Sequence, residues 1–174
     1  MNEITILMHL LTRKTDNSHF GATQDEIIKC LSIGGKNESV YFQELIIQLS
    51  EYIEPLGLQI RFNPLSSHWY ISFDIFSADF VSANPFEGRP KLAATLFCAL
   101  ICCLKSLGTA KLQDIKELRK KKQVIDDLKE LMKMGYLELN KKLGKVNLTP
   151  LIGYQLDINK LFVNLTLNLK QKKS

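Results

Sequence analysis

The order of periodic segments along this chain is repeated, and this repeat is the strongest constraint on its fold. In each half, three stretches with helical spacing of apolar residues precede two short stretches in which apolar and polar residues alternate. A turn-rich segment, 76–90, contains Gly88 and Pro90 and separates the halves. A chain of 174 residues is long enough for one ordinary domain or two small ones. Since the order of segments is repeated, we predict two tandem domains, 1–75 and 91–174, joined by this linker.

The first half predicts three helices and a hairpin. Apolar spacing in Ile4–Leu11 indicates a buried helix, and Thr23 with Glu26 forms a capping box for a second helix. Asn37 is the expected cap of a third helix, and alternation within 58–73 predicts a β-hairpin. The apolar positions of the third helix are Val40, Phe42, Leu45, Ile46, Leu49, Tyr52 and Ile53.

The second half repeats this order. Helices are predicted over Lys91–Leu107, from Thr109 onwards, and over Lys121–Met134. Alternating residues within 136–148 predict a second hairpin with a basic turn, and Tyr154–Leu156 is a candidate extension of its ladder. The first of these helices is so apolar that we expect it at the centre of the second domain.

Three helices followed by a hairpin are typical of the winged-helix variant of the helix-turn-helix domain. We therefore predict an α+β, mostly helical chain of two tandem winged-helix domains. Domains of this size bury small cores, so tandem copies are expected to pack on each other or to dimerise.

Charge is divided unevenly between the two halves. Residues 1–104 contain 7 Lys+Arg against 11 Asp+Glu, whereas 105–145 contain 12 against 6 and 146–174 contain 4 against 1. This asymmetry favours an acidic partner for the C-terminal half, either nucleic acid or an acidic protein segment. The alternative is a solvated lysine face that aids solubility.

Several classes of protein are disfavoured. The longest apolar run, Leu92–Leu104, is shorter than the roughly 20 residues that cross a bilayer, so no membrane association is expected. Glu3 precedes the N-terminal apolar stretch and no small-residue cleavage site follows, which argues against a signal peptide and for a cytoplasmic protein.

No catalytic motif or metal-ligand spacing is present, so we expect neither an enzyme nor a cofactor. Asp126 and Asp127 are adjacent on a helix, where their side chains diverge by about 100° and cannot share a site. The cysteines Cys30, Cys98, Cys102 and Cys103 are interpreted as reduced core residues.

Basic residues in the second domain form the candidate DNA-phosphate site. They are predicted at the start of the third helix and in the hairpin turn, where helix-turn-helix proteins contact phosphate. Arginine is the side chain that most often recognises guanine, and Arg119 is the only arginine in this region. We therefore expect weak, non-specific DNA binding that depends on the salt concentration. The candidates are Lys120, Lys121, Lys122, Gln123, Lys141, Lys142 and Lys145.

The corresponding helix of the first domain is predicted to repel DNA. It carries Glu38, Glu44, Glu51 and Glu54 and no Lys or Arg. A repressor that reads its operator through this helix is therefore not expected.

The C-terminal tail has more apolar residues than one small face can bury. It either completes the core of the second domain or forms a surface for a partner. The apolar residues after Asn159 fit both the alternation of a strand and the spacing of a helix, so the sequence does not decide between the two. The partner-binding candidates are Leu156, Ile158, Leu161, Phe162 and Leu165.

Four stretches resemble segregation and condensation protein B (ScpB), the dimeric subunit that binds the kleisin of bacterial and archaeal SMC complexes. They match its apolar opening helix, its next helix with Ile before Arg, its third helix with a glycine-led strand, and its hairpin. These stretches are Lys91–Leu96 with Ala99–Ile101; Gly108–Thr109 with Ile115 and Leu118–Arg119; Val124, Leu128 and Leu131 with Gly135–Leu137; and Leu56–Ile60 with His68–Ile71.

The resemblance implies a non-catalytic, kleisin-binding subunit that acts on the chromosome in condensation and segregation. It also implies a homodimer held mainly by the first domain. The chain departs from the family at Lys105–Gly108, where the family has an apolar segment with proline, and at Asn140–Lys145, where it has a wing rich in Gly, Arg and Pro. The alternative function is a winged-helix DNA-binding transcription regulator.

Overall fold

The computed structural model describes residues 2–15, 19–35, 37–74, 85–106, 108–121, 123–140 and 143–156. The chain divides into two compact units, Met1–Ala83 (unit 1) and Asn84–Ser174 (unit 2). Each unit is mostly helical and contains a three-stranded antiparallel sheet, so the chain is α+β. None of the helices in the described ranges has the length and apolarity that a bilayer crossing requires.

In its described residues, unit 1 has three α-helices and three strands. Its sheet has the order β1-β3-β2, and the predicted hairpin within 58–73 is confirmed. The two-residue strand β1 was not predicted; its Ala22 pairs with Trp69 on β3. The elements are α1 (Glu3–Thr12), β1 (Ala22–Thr23), α2 (Gln24–Cys30), α3 (Glu38–Ile53), β2 (Leu58–Asn63) and β3 (His68–Phe73).

The capping box at the start of α2 is confirmed. The Glu26 N–H donates to Thr23 Oγ1 at 3.3 Å, and the Thr23 N–H donates to Glu26 Oε2 at 2.9 Å. The backbone hydrogen bond from Thr23 lowers the pKa of Glu26, because it favours the carboxylate. Asn37, by contrast, precedes α3 without a side-chain cap hydrogen bond.

Gly21 holds α1 against the sheet of unit 1. Its φ of +81° lies in the left-handed region, and its N–H donates to the Arg13 carbonyl at 2.8 Å. A Cβ at this position would lie 1.9 Å from the Trp69 carbonyl oxygen. Only glycine satisfies both the backbone angle and this close approach.

Unit 2 repeats the element order and the strand order of unit 1. Its sheet has the order β4-β6-β5, so the first short strand again pairs with the last. The elements are α4 (Pro90–Lys105), β4 (Thr109–Lys111), α5 (Leu112–Arg119), α6 (Val124–Lys133), β5 (Leu137–Asn140), β6 (Lys145–Leu148) and α7 (Pro150–Gln155).

The helix α4 is central to unit 2, as predicted. It contacts α5, α6, β4 and β6, which explains why its sequence is apolar on several sides. Its fully or nearly fully buried residues are Leu92, Thr95, Leu96, Ala99, Leu100, Cys102 and Cys103.

Two predicted helices of unit 2 begin three residues later than expected, and one predicted strand is wrong. Thr109 does not begin a helix; it lies in β4 and pairs with Asn147. The third helix begins at Val124 rather than Lys121, because Lys120 adopts a left-handed conformation that ends α5. Tyr154–Leu156 does not extend the ladder, since Pro150 supplies the φ of a helix start and α7 follows.

Candidate nucleic-acid and partner-binding surfaces

The first group of predicted phosphate ligands lies in the turn between α5 and α6. Lys120 has φ 50° and ψ 37°, and its N–H donates to the Lys116 carbonyl at 2.9 Å. Lys120, Lys121 and Gln123 are exposed, and Gln123 is the cap residue of α6. These side chains therefore extend from a turn and not from the first turn of the helix, which corrects the prediction. Lys122 lies outside the described residues.

The second group lies on the sheet of unit 2. Lys145 is half-buried on β6, where it faces Lys111 on β4 and Asn140 on β5. Like charges directly opposite on neighbouring strands repel each other, so an anion at this place would reduce the repulsion between Lys111 and Lys145. Lys111 was missed from the sequence because β4 has only three residues and no clear alternation. Lys141 and Lys142 lie outside the described residues.

The helix α5 separates these two groups. Lys111 is its N-cap residue and Lys120 its C-cap residue. An eight-residue helix is about 12 Å long, which is close to the width of the DNA major groove. The two groups of cations are thus far enough apart to contact different phosphates.

The outer face of α6 is close to neutral. Asp126, Lys129, Glu130 and Lys133 are all exposed on it. Lys129 Nζ lies 3.5 Å from Asp126 Oδ1, and Arg89 Nη1 donates to Glu130 Oε1 at 2.8 Å. Exposed pairs of this kind add little stability, but the two carboxylates weaken the attraction of this face for phosphate.

The Arg119 side chain is hydrogen-bonded to α4 and is therefore not free to recognise guanine. Its Nε donates to Thr95 Oγ1 at 3.2 Å, and its Nη2 donates to the Lys91 carbonyl at 3.4 Å. The fully buried Thr95 hydroxyl in turn donates to Asp127 Oδ2 at 2.7 Å. This cluster joins α4, α5 and α6, and it separates Asp127 from Asp126, whose carboxylate lies by Lys129.

The cysteines of α4 are poor nucleophiles and poor metal ligands. Burial raises the pKa of Cys98 and Cys102, and it raises the pKa of Cys103 to about 11. These side chains therefore remain protonated thiols at neutral pH. In the described ranges, no three His, Cys, Asp or Glu side chains are grouped so that they could hold a metal ion.

Of the predicted partner-binding residues, only Leu156 lies in the described part of the chain. It is half-buried directly after α7, and its N–H donates to the Ile152 carbonyl at 2.8 Å. The remaining candidates, Ile158, Leu161, Phe162 and Leu165, lie outside the described residues, as does the choice between helix and strand after Asn159.

On unit 1, α3 exposes apolar side chains that helical spacing alone did not distinguish from core residues. Phe42, Leu45 and Leu49 are buried, whereas Val40 and Tyr52 are exposed. The exposed side of α3 therefore combines apolar groups with the acidic residues noted in the sequence.

No protein-family model and no curated protein sequence matches this chain.

Proposed function

We propose that this chain is a non-catalytic tandem winged-helix protein, similar to ScpB, that binds the kleisin subunit of an SMC complex. The observation that carries the proposal is the shared order helix-strand-helix-helix-strand-strand in both units, with the first strand paired to the last in each. Winged-helix domains have this order of elements, and a tandem pair of them is the feature that the chain has in common with ScpB.

The second unit is the proposed kleisin-binding unit. Its exposed lysines, which include Lys111, Lys120 and Lys121, would attract an acidic segment and speed its encounter. Leu156 directly follows α7 and is the first residue of the apolar tail, which is a candidate surface for a partner. The proposal extends to a homodimer held by unit 1, located in the cytoplasm on the chromosome.

Replacing Leu161 and Leu165 together by Ser tests the tail as a partner surface. We expect the variant to keep its melting temperature and to lose kleisin binding by more than about tenfold, since each lost apolar contact weakens an interface. The measurement is a pull-down with the kleisin encoded in the same genome. Leu143→Ser is the control, because Leu143 is exposed on unit 2 but lies outside the tail. Unfolding of the double variant would instead place the tail in the core, and retained binding would remove it from the interface.

A second candidate function, direct DNA binding, is favoured by the Lys111–Lys145 pair. We expect non-specific binding whose log K falls against log salt with a slope of about −3.6 if four lysines neutralise phosphates. Replacing Lys120 and Lys121 by Ala should reduce that slope by about 1.8 in a fluorescence titration. Lys129→Ala is the control, since Lys129 lies beside Asp126. A salt-resistant complex with one sequence would favour the transcription regulator, and no binding at low salt would remove DNA as a ligand.

A further inference from the structure

The outer face of α3 in unit 1 has no role in the function proposed above. Two large apolar side chains, Val40 (56% exposed) and Ile47 (57%), lie on the side of α3 opposite its buried residues. We call this surface the α3 outer face. The exposed Tyr41 and Tyr52 lie on one flank of it.

Apolar and acidic residues alternate along one strip of α3. Val40, Glu44, Ile47 and Glu51 follow one another at intervals of four, three and four residues, so they lie along one line of the helix. Tyr52 lies about 100° around the helix from Glu51, so it is on the flank of this strip. A strip that combines apolar and charged groups suits packing against an amphipathic segment.

The charge of the strip has one sign. Glu44, Glu51 and Glu54 are exposed, and no Lys, Arg or His occurs between residues 37 and 57. On its flank the Tyr41 hydroxyl donates to Glu3 Oε2 at 2.6 Å, which places a further carboxylate beside the face. The same hydrogen bond raises the pKa of Tyr41, since it favours the protonated phenol.

We propose that the α3 outer face binds a cationic amphipathic segment of a partner protein. Apolar side chains of that segment would pack on Val40 and Ile47, and its Lys or Arg side chains would lie against Glu44 and Glu51. A nucleic acid is disfavoured by charge. A second copy using the same face would oppose Glu44 and Glu51 of one chain to those of the other, so self-association is disfavoured as well.

The binding can be measured by fluorescence anisotropy with the full chain and a labelled 15-residue helical peptide of Leu and Lys. The comparison peptide has Gln in place of every Lys, because an acidic peptide would be attracted to the lysines of unit 2. We expect the Lys peptide to bind at least about tenfold more tightly than the Gln peptide, with an affinity that falls as salt is added.

Two pairs of substitutions locate the site. Val40→Ser with Ile47→Ser should weaken binding by about tenfold or more, and Glu44→Gln with Glu51→Gln should weaken it and flatten its dependence on salt. Gln has nearly the same side-chain shape as Glu, so the Gln pair still tests the site if the Ser pair disturbs folding. Ile125→Ser on α6 and Glu117→Gln on α5 are the matched controls, because both residues are exposed on unit 2, and they should leave the affinity unchanged.

Four outcomes would overturn the proposal. The first is absence of binding up to about 100 µM peptide. The second is equal affinity of the chain for both peptides, or an affinity of either variant pair for the Lys peptide that equals that of the unchanged chain. The third is a dimer in light scattering that the Ser pair converts to a monomer, which would make the face a contact between copies. The fourth is displacement of the Lys peptide by a synthetic peptide of residues 157–174, which would make the chain's own C-terminal segment the occupant.

Discussion

Replacement of Gly21 by Ala is expected to destabilise unit 1 by about 3–5 kcal/mol, enough to unfold a small unit near room temperature. The added Cβ would meet the Trp69 carbonyl oxygen at 1.9 Å and Tyr70 Cβ at 2.9 Å. These contacts cannot be relieved by turning a side chain, because the nearest atoms belong to the backbone of β3. The φ of +81° adds the cost of a left-handed conformation.

Gly135→Ala is the matched control for this prediction. Gly135 has a nearly identical φ of +82°, but its nearest neighbour would be Leu151 Cδ2 at 3.5 Å, an ordinary contact. We expect this variant to lose only about 1–2 kcal/mol, the cost of the backbone angle alone. Urea unfolding followed by circular dichroism measures both. If both variants lost the same free energy of unfolding, the close approach of Gly21 to β3 would contribute nothing beyond the backbone angle.

Replacement of Thr95 by Val is expected to destabilise unit 2 by about 1.5–3 kcal/mol, although the two side chains have nearly the same shape. The substitution removes the hydroxyl that accepts a hydrogen bond from Arg119 and donates one to Asp127. Because Thr95 is fully buried, water cannot readily replace it. Urea unfolding of the full chain measures the loss.

Two comparisons test whether the hydrogen bonds of Thr95 with Arg119 and Asp127 are energetically coupled. Thr12→Val removes an exposed hydroxyl bonded to the Met8 carbonyl, and it should change the stability by less than about 0.5 kcal/mol. Thr95→Val combined with Asp127→Ala should cost less than the sum of the single substitutions, because each removes the hydrogen bond between Thr95 and Asp127. Strict additivity would contradict the proposed coupling.

The longer elements of this fold were predictable because each carries a strong local signal. The hairpin within 58–73 has strict alternation on both strands, and the second helix begins with a capping box at Thr23 and Glu26. The apolar character of α4 likewise predicted its central position, since a helix that contacts four other elements has little surface for polar groups.

The short elements were not predictable, since their conformation is determined by distant partners. Ala22–Thr23 and Thr109–Lys111 become strands only because β3 and β6 present open edges to them. At Lys120, a non-glycine residue in the left-handed region ends α5, and no propensity of lysine predicts this. The third helix of unit 2 was therefore placed three residues too early.

The same limits apply to the candidate site. Charge counting identified the exposed Lys120 and Lys121, because a cluster of like charges is visible in sequence alone. Lys111 could be assigned to the site only once its pairing with Lys145 was known. Conversely, Arg119 looked like a free contact residue, and only the positions of Thr95 and Lys91 on α4 show that its guanidinium is engaged.

Light scattering on the co-expressed chain and kleisin, separated by size-exclusion chromatography, tests the central proposal most directly. The chain alone should elute as a dimer with twice its mass of 19.9 kDa. When the kleisin from the same genome is co-expressed, both proteins should elute together in one peak whose mass exceeds that of the dimer. Separate elution of the two proteins, with the chain at 19.9 kDa, would contradict both the dimer and the kleisin-binding function.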